Sequence, residues 1–225
     1  MAKKKKAAKG GKFGVIASVV TLVLSVLCFV FLATPVVKTV TKIGNTTTTE
    51  QKTAYEYTKY YQEKVDSRDE NGNKVQITRL QEYKNEIKEI KKYIKESNLS
   101  EEKKKEANEN IKELSAPVRI CETIIATEAI AAIAMVAALI ALILFALKKN
   151  GAAGILNLVA LLGLFAIFIT ACVMQAEVNN YFKFEYSADE LLNIKTSSVA
   201  PALVLAFSLI GTLAGGVLTV VGKKK

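Results

Sequence analysis

The chain has no histidine and no tryptophan, and only three cysteines and three prolines in 225 residues. Without imidazole there is no His-ligated zinc site, no Ser-His or Cys-His nucleophile pair and no His-mediated proton transfer. No Gly-rich phosphate loop and no dinucleotide-binding fingerprint occur either. Cys28, Cys121 and Cys172 lie in or beside three different apolar runs. They never form the Cys-x-x-Cys pair of a four-span thiol oxidoreductase, and they read as small packing residues. The expectation is a chain with no catalytic residue, no metal site and no cofactor.

Charge is missing from four long stretches: residues 13–34, 129–147, 151–174 and 196–222. The remaining segments are highly charged, so 51% hydrophobic and 23% charged residues coexist with a mean hydropathy of +0.24. Each apolar run suffices to cross a hydrocarbon core of ~30 Å, which takes about 20 residues. The first run exceeds the roughly 7–15 residues of a signal-peptide core. Phe31 and Leu27 occupy positions where cleavage after Ala33 or before Cys28 would need small residues. A retained anchor is therefore expected.

Acids are missing beside the runs. Residues 1–12 hold six Lys, the turn at 148–149 two and the C-terminus three, with no Asp or Glu among them. The formal charge of +10 thus concentrates in short flanking segments, as the positive-inside rule requires. Four crossings put all three segments on one side. The expected layout is a cytosolic tail (1–12), span 1 (13–34), an extracytoplasmic domain (35–116), and span 2 with a protruding outer end (117–147). A cytosolic turn (148–152), span 3 (153–175), a second outer loop (176–198), span 4 (199–221) and a cytosolic tail (222–225) complete it. The lysines adjoin the lipid bilayer, and no aromatic-interleaved basic patch points to nucleic acid.

In the first outer loop, β-branched residues at 36–43 predict a strand. Thr46 to Thr49 reads as a linker and helix entry, 50–66 as a helix and Asn71-Gly72 as a turn. Leu80, Tyr83, Ile87, Ile90 and Ile94, spaced 3, 4, 3 and 4, predict a helix over 76–97. Ser100 can cap a second helix carrying Ala107, Ile111 and Leu114, which would close an αα-hairpin. The same stripe is also a candidate face for a partner. Pro117 suits the first turn of a helix reaching residue 147. In the second outer loop, alternating Phe182, Phe184 and Tyr186 predict a strand over 178–186 that pairs with 36–43. Ser187 to Glu190 matches a capping box before a short helix with Leu191, Leu192 and Ile194.

Small and hydroxyl residues mark helix contacts in lipid. They recur as Gly14, Ser18, Thr21, Ser25 and Cys28 in span 1 and as Ala134, Ala137, Ala138 and Ala141 in span 2. Span 3 carries Gly154, Asn157, Ala160 and Gly163; span 4 carries Ser208, Gly211, Thr212, Gly215 and Thr219. These faces hold the spans together or serve a second copy or a partner. Glu128, flanked by apolar sequence, is a candidate intramembrane carboxylate. Asn45 and Asn98 stand in glycosylation acceptor triplets, whereas the Lys-rich flanks suit a bacterial membrane protein.

The fold class expected is a mainly α membrane protein, a four-helix bundle with an extracytoplasmic αα-hairpin and a small two-stranded sheet. The layout resembles the claudin-like tetraspan plan in topology alone; the Trp-bearing motif and Cys pair of that family are absent, as is the tetraspanin Cys-Cys-Gly motif. Two functions follow from these readings. One is a structural or interaction protein whose outer domain contacts partner proteins or the cell envelope. The other is a small transporter or channel subunit working through Glu128.

Overall fold

The computed structural model describes residues 2–43, 46–68, 72–185, 195–197 and 199–223, with side chains described over 12–36, 49, 51–68, 72–180 and 200–217. It is mostly helical. The elements are α1 (Ala2–Phe31), β1 (Pro35–Ile43), β2 (Thr46–Thr53), α2 (Ala54–Gln62), β3 (Lys64–Arg68) and β4 (Lys74–Thr78), followed by α3 (Arg79–Glu96), α4 (Glu101–Ala146), α5 (Asn150–Glu185), β5 (Lys195–Ser197) and α6 (Val199–Lys223). Packing divides the chain into two units. Met1–Thr34, Ala126–Val173 and Ala200–Lys225 make one; Pro35–Ile125 and Met174–Val199 make the other.

The first unit is an apolar bundle. Four helices are long and apolar enough to cross a membrane: Lys12–Phe31, Glu101–Ala146, Asn150–Asn180 and Ala200–Val217. In α4 the buried positions within this unit include Thr127, Ala131, Ala134, Ala138 and Ala141, spaced 4, 3, 4 and 3, with Ala137 beside them. In α1 they include Ser18, Thr21, Ser25 and Cys28, spaced 3, 4 and 3. This alternation is the seam of left-handed helix packing. Buried hydroxyls are satisfied close at hand. Thr21 Oγ1 donates to the Ala17 carbonyl and Ser25 Oγ to that of Thr21, both at 2.8 Å. Two further bonds cross between helices: Ser18 Oγ to Asn157 Oδ1 at 3.1 Å and Thr127 Oγ1 to Thr170 Oγ1 at 2.8 Å. Phe31 stacks on Phe207 at a centroid distance of 4.5 Å.

Large apolar side chains point the other way. Ile16, Val23, Val30, Ile133, Leu162 and Leu213 are each about half exposed or more. The bundle thus buries alanines and hydroxyls and turns its bulk outward, the reverse of a water-soluble core.

The second unit is polar and mixed. β2, β1 and β5 form a three-stranded antiparallel sheet in that order, with Thr39 opposite both Glu50 and Thr196. β3 and β4 form a separate two-stranded hairpin. The turn expected at Asn71-Gly72 falls between these strands, and Gly72 has φ +81°, a conformation glycine adopts without a Cβ penalty. Thr53 caps α2 in a reciprocal capping box with Glu56, and Thr78 caps α3. Ser100 Oγ accepts from the Lys103 amide at 3.4 Å at the start of α4.

Three expectations are corrected. Thr46 to Thr49 is strand rather than linker, so the helix expected over 50–66 shrinks to Ala54–Gln62; four consecutive β-branched threonines fit a pleated surface better than a helix entry. Pro117 does not start a helix but lies inside α4. A proline there removes the bond to the Glu113 carbonyl and costs about 3 kcal/mol. Burial of Ala116, Val118, Ile120 and Cys121 around it offsets that loss, at ~1.5–3 kcal/mol for each large side chain. The strand expected over 178–186 is helical through Glu185, so β1 takes its partners from β2 and β5 instead. The capping box at 187–190 and the helix expected after it lie outside the described residues.

Gly211 and Gly215 let α6 approach its neighbours. A Cβ at Gly211 would stand 2.8 Å from Leu164 Cδ1 and 3.1 Å from Leu24 Cδ1, and one at Gly215 would overlap the Leu161 side chain. A Cβ at the adjacent Gly216 meets nothing within 4 Å. Gly215→Val is therefore expected to destabilise the detergent-solubilised protein by about 1–3 kcal/mol through overpacking. Gly216→Val should stay within about 0.5 kcal/mol, as surface changes do. Thermal unfolding of the two variants makes the comparison, and equal midpoints would contradict this packing.

Candidate functional site

The polar unit is organised around an aromatic cluster. The spacing of Tyr57, Tyr60 and Tyr61 on α2 places Tyr57 and Tyr61 on one face, a turn apart. Both are buried, together with Ala54 and Thr58. The ring centroids of Tyr57 and Tyr61 are 5.0 Å apart. Tyr60 meets Tyr61 edge-on at 5.1 Å, and Tyr83 of α3 meets it edge-on at 5.7 Å. Edge-to-face pairs of this kind add about 0.5–1.5 kcal/mol each beyond area burial.

Arg79 fastens the cluster. Its amide donates to the Glu63 carbonyl at 2.9 Å. Its guanidinium donates to Tyr60 Oη at 2.8 Å and pairs with Glu63 at 3.3 Å. The same group lies 4.1 Å from the Tyr60 ring centroid, with Lys52 Nζ at 5.3 Å from that ring. A planar guanidinium can stack and fork simultaneously, which an ammonium cannot. Sequence reasoning missed Arg79. The available signal was rarity: arginine appears only at 68, 79 and 119 among 31 basic residues. Arg119 is likewise engaged, joining Glu177 at 2.9 Å and so tying α4 to α5.

The stripe expected on α3 is only partly used inside this unit. Ile87 is buried, whereas Leu80, Tyr83, Ile90 and Ile94 are half-buried. Ala107, Ile111 and Leu114 of α4 are half-buried too. α3 and α4 follow each other across residues 97–100 and are joined by a Lys84–Glu122 ion pair at 2.6 Å.

The candidates in the apolar unit divide by environment. Ser18, Thr21, Ser25, Gly211 and Gly215 are buried and Gly14 half-buried; a Cβ at Gly14 would overlap the Phe145 ring. Gly154, expected to share an interface, is exposed with open space beside it. Glu128 is half-buried, and among the described residues no hydrogen bond or ion pair engages it. No group of three or more metal-ligating side chains occurs among the described residues. No disulfide joins Cys28, Cys121 and Cys172; the first two are buried and the third exposed.

Burial raises the pKa of the Tyr61 phenol, opposed by its hydrogen bond with Tyr57 and reinforced by Tyr83, Tyr60 and Cys121 nearby. Burial also raises that of Tyr83. A folded-state value above the unfolded ~10 means that the neutral phenols contribute full stability below that pH. The contribution is lost as pH climbs through the folded-state values. Tyrosinate absorbance of Tyr61→Phe subtracted from that of the unchanged protein isolates this residue. Its ionisation should appear only above the ordinary phenol range of ~10 and coincide with unfolding. A Tyr61 share that titrates at ~10 in folded protein would contradict its burial.

No protein-family model, no curated protein sequence and no solved structure matches this chain.

Proposed function

We propose that the chain is a four-span integral membrane protein of structural or interaction type, whose polar unit is extracytoplasmic and contacts partner proteins or the cell envelope. Its setting is the cell membrane, of a bacterium by the Lys-rich composition, with both termini cytosolic. The outward-facing bulk of the apolar bundle supports insertion in lipid, where small residues pack the seams and large apolar chains meet acyl tails. The three acid-free lysine segments support the orientation.

The observation that carries the interaction reading is the incompletely buried stripe on α3. A helix that spent its apolar positions on its own hairpin would bury all five. Here Ile87 is buried and Tyr83 is taken up by the tyrosine cluster, while Leu80, Ile90 and Ile94 remain partly accessible. Such a face, held on a rigid helix, suits a partner helix read at heptad spacing.

The test is photo-cross-linking in intact cells, with the reactive group introduced at Ile90 or Ile94. Discrete adducts heavier than the monomer are expected from these positions and not from exposed Lys59 on α2. Recovery of monomer alone from both stripe positions would end this reading.

A further inference from the structure

The charges of α3 are sorted by sign around the helix. Lys84, Lys88, Lys91 and Lys95 succeed one another at 4, 3 and 4 residues, with Lys92 beside them. Glu82, Glu86, Glu89 and Glu96 form a separate acidic face, which meets the apolar stripe at Ile90 on one side and Lys92 on the other, Glu89 and Glu96 being three and four residues from Lys92. At 100° per residue the lysine lane therefore lies between the apolar and acidic faces. Neither Lys88, Lys91 nor Lys95 has an acid three or four residues away in either direction. Helices that merely solvate themselves interleave opposite charges at those spacings, because like charges there repel.

Tertiary structure does not supply the missing acids. Lys84 is joined to Glu122, but among the described residues Lys88, Lys91, Lys92 and Lys95 take part in no ion pair. The lane borders two depressions that share Lys88 and Lys92. One, of about 580 Å³, lies between the β3–β4 hairpin and α3 and adds Arg68 of β3. The other, of about 480 Å³, runs along α3 past Lys84, Lys91 and Lys95. Glu89 edges the first and Glu96 the second, so each depression keeps a surplus of cations.

We infer that this lane binds a linear phosphate-bearing polyanion, seated along α3 between Lys84 and Lys95 and reaching Arg68. The inference deepens the proposed function, since it rests on the polar unit being the contacting part of the protein, and names one chemistry for the contact. Charge complementarity chooses the occupant. Eleven residues of helix extend the lane over about 16 Å, too long for one phosphate and suited to a chain of them. Lysine ammonium groups act as point charges on phosphate oxygens and accept a flexible chain in many registers. Tyr93, the nearest aromatic side chain in sequence within 88–95, points to the acidic flank rather than the lane, so nucleobases have no stacking platform there.

The experiment uses the full chain in nonionic detergent and inorganic polyphosphate as the probe, with affinity measured against salt. Contacts from Lys88, Lys91, Lys92 and Lys95 to a flexible chain contribute about −2.8 to the logarithmic slope, or a loss of about 50-fold between 50 and 200 mM salt. The variant carrying Lys88→Gln, Lys91→Gln, Lys92→Gln and Lys95→Gln keeps helix propensity and should lose at least about tenfold in affinity, with a slope shallower by about 2.8. A control of equal charge change carries Lys59→Gln, Lys64→Gln, Lys103→Gln and Lys105→Gln, and should change affinity by less than about twofold. Equal losses in the two variants would overturn the lane in favour of diffuse attraction. Tighter binding of a single-stranded oligonucleotide, or of phosphatidylglycerol vesicles alone, would overturn it in favour of those ligands. Polyphosphate binding confined to the lane, together with monomer-only cross-linking, would keep the inference and remove the protein partner; adducts without polyphosphate binding would do the reverse.

Discussion

Small positions at the helix seams, which leave room for a neighbour's side chain, are the constraint on which the apolar unit depends. For helices proposed to lie in lipid, burial of a large side chain gains little, so packing contacts and internal hydrogen bonds would decide the arrangement. Gly211 and Gly215 leave the room that Leu164, Leu24 and Leu161 fill. Ser18, Thr21, Ser25 and Thr127 are buried only because each hydroxyl has an acceptor within reach, and an unsatisfied one would carry a desolvation cost. The same constraint explains why bulk turns outward.

The polar unit follows the opposite rule. It packs its core from tyrosines that water would expel, and it uses an arginine where the Tyr60 ring and the Glu63 carboxylate converge. Tyr61 touches Tyr57 and Tyr60 on its own helix and Tyr83 on the next, so α2 and α3 cannot separate without exposing it. The capping box of Thr53 and Glu56 sets where α2 begins, and the exposed Glu56 carboxyl is held below its ordinary pKa by the backbone and side-chain bonds from Thr53. Local caps and a shared aromatic contact together position α3, whose remaining faces stay available.

Much of this was legible in the sequence wherever a minority residue type stood out against its surroundings. In α1 the glycine, hydroxyl and thiol positions were conspicuous in an apolar run, and the buried seam follows them. The cap at Ser100 and the left-handed backbone of Gly72 were legible because their chemistry is local. What could not be read depended on competition between segments. The alternation of Phe182, Phe184 and Tyr186 fits a strand, yet extending a helix already formed from Asn150 costs little per residue, and α5 continues through Glu185. Pro117 reads as a helix start until the burial around it is known. The threonine run at 46–49 became strand because β1 offered an edge. Arg79 was invisible to periodicity, since its role comes from the Tyr60 ring and the Glu63 carboxylate, which precede it by 19 and 16 residues.

Sign-sorted charge ties the account together: lysine without acid marks the segments proposed to face the cytosol, and on α3 the same separation leaves a basic lane. The central claim is that the polar unit and the lysine-bearing 148–149 turn lie on opposite sides of the membrane. Labelling of intact cells with a membrane-impermeant maleimide tests it most directly, using single cysteines introduced at Lys105 and Lys149 in a background with Cys28, Cys121 and Cys172 replaced by serine or alanine. The account predicts that Lys105→Cys is labelled from outside and Lys149→Cys only after permeabilisation. Labelling of both from outside, or of Lys149→Cys alone, would contradict it.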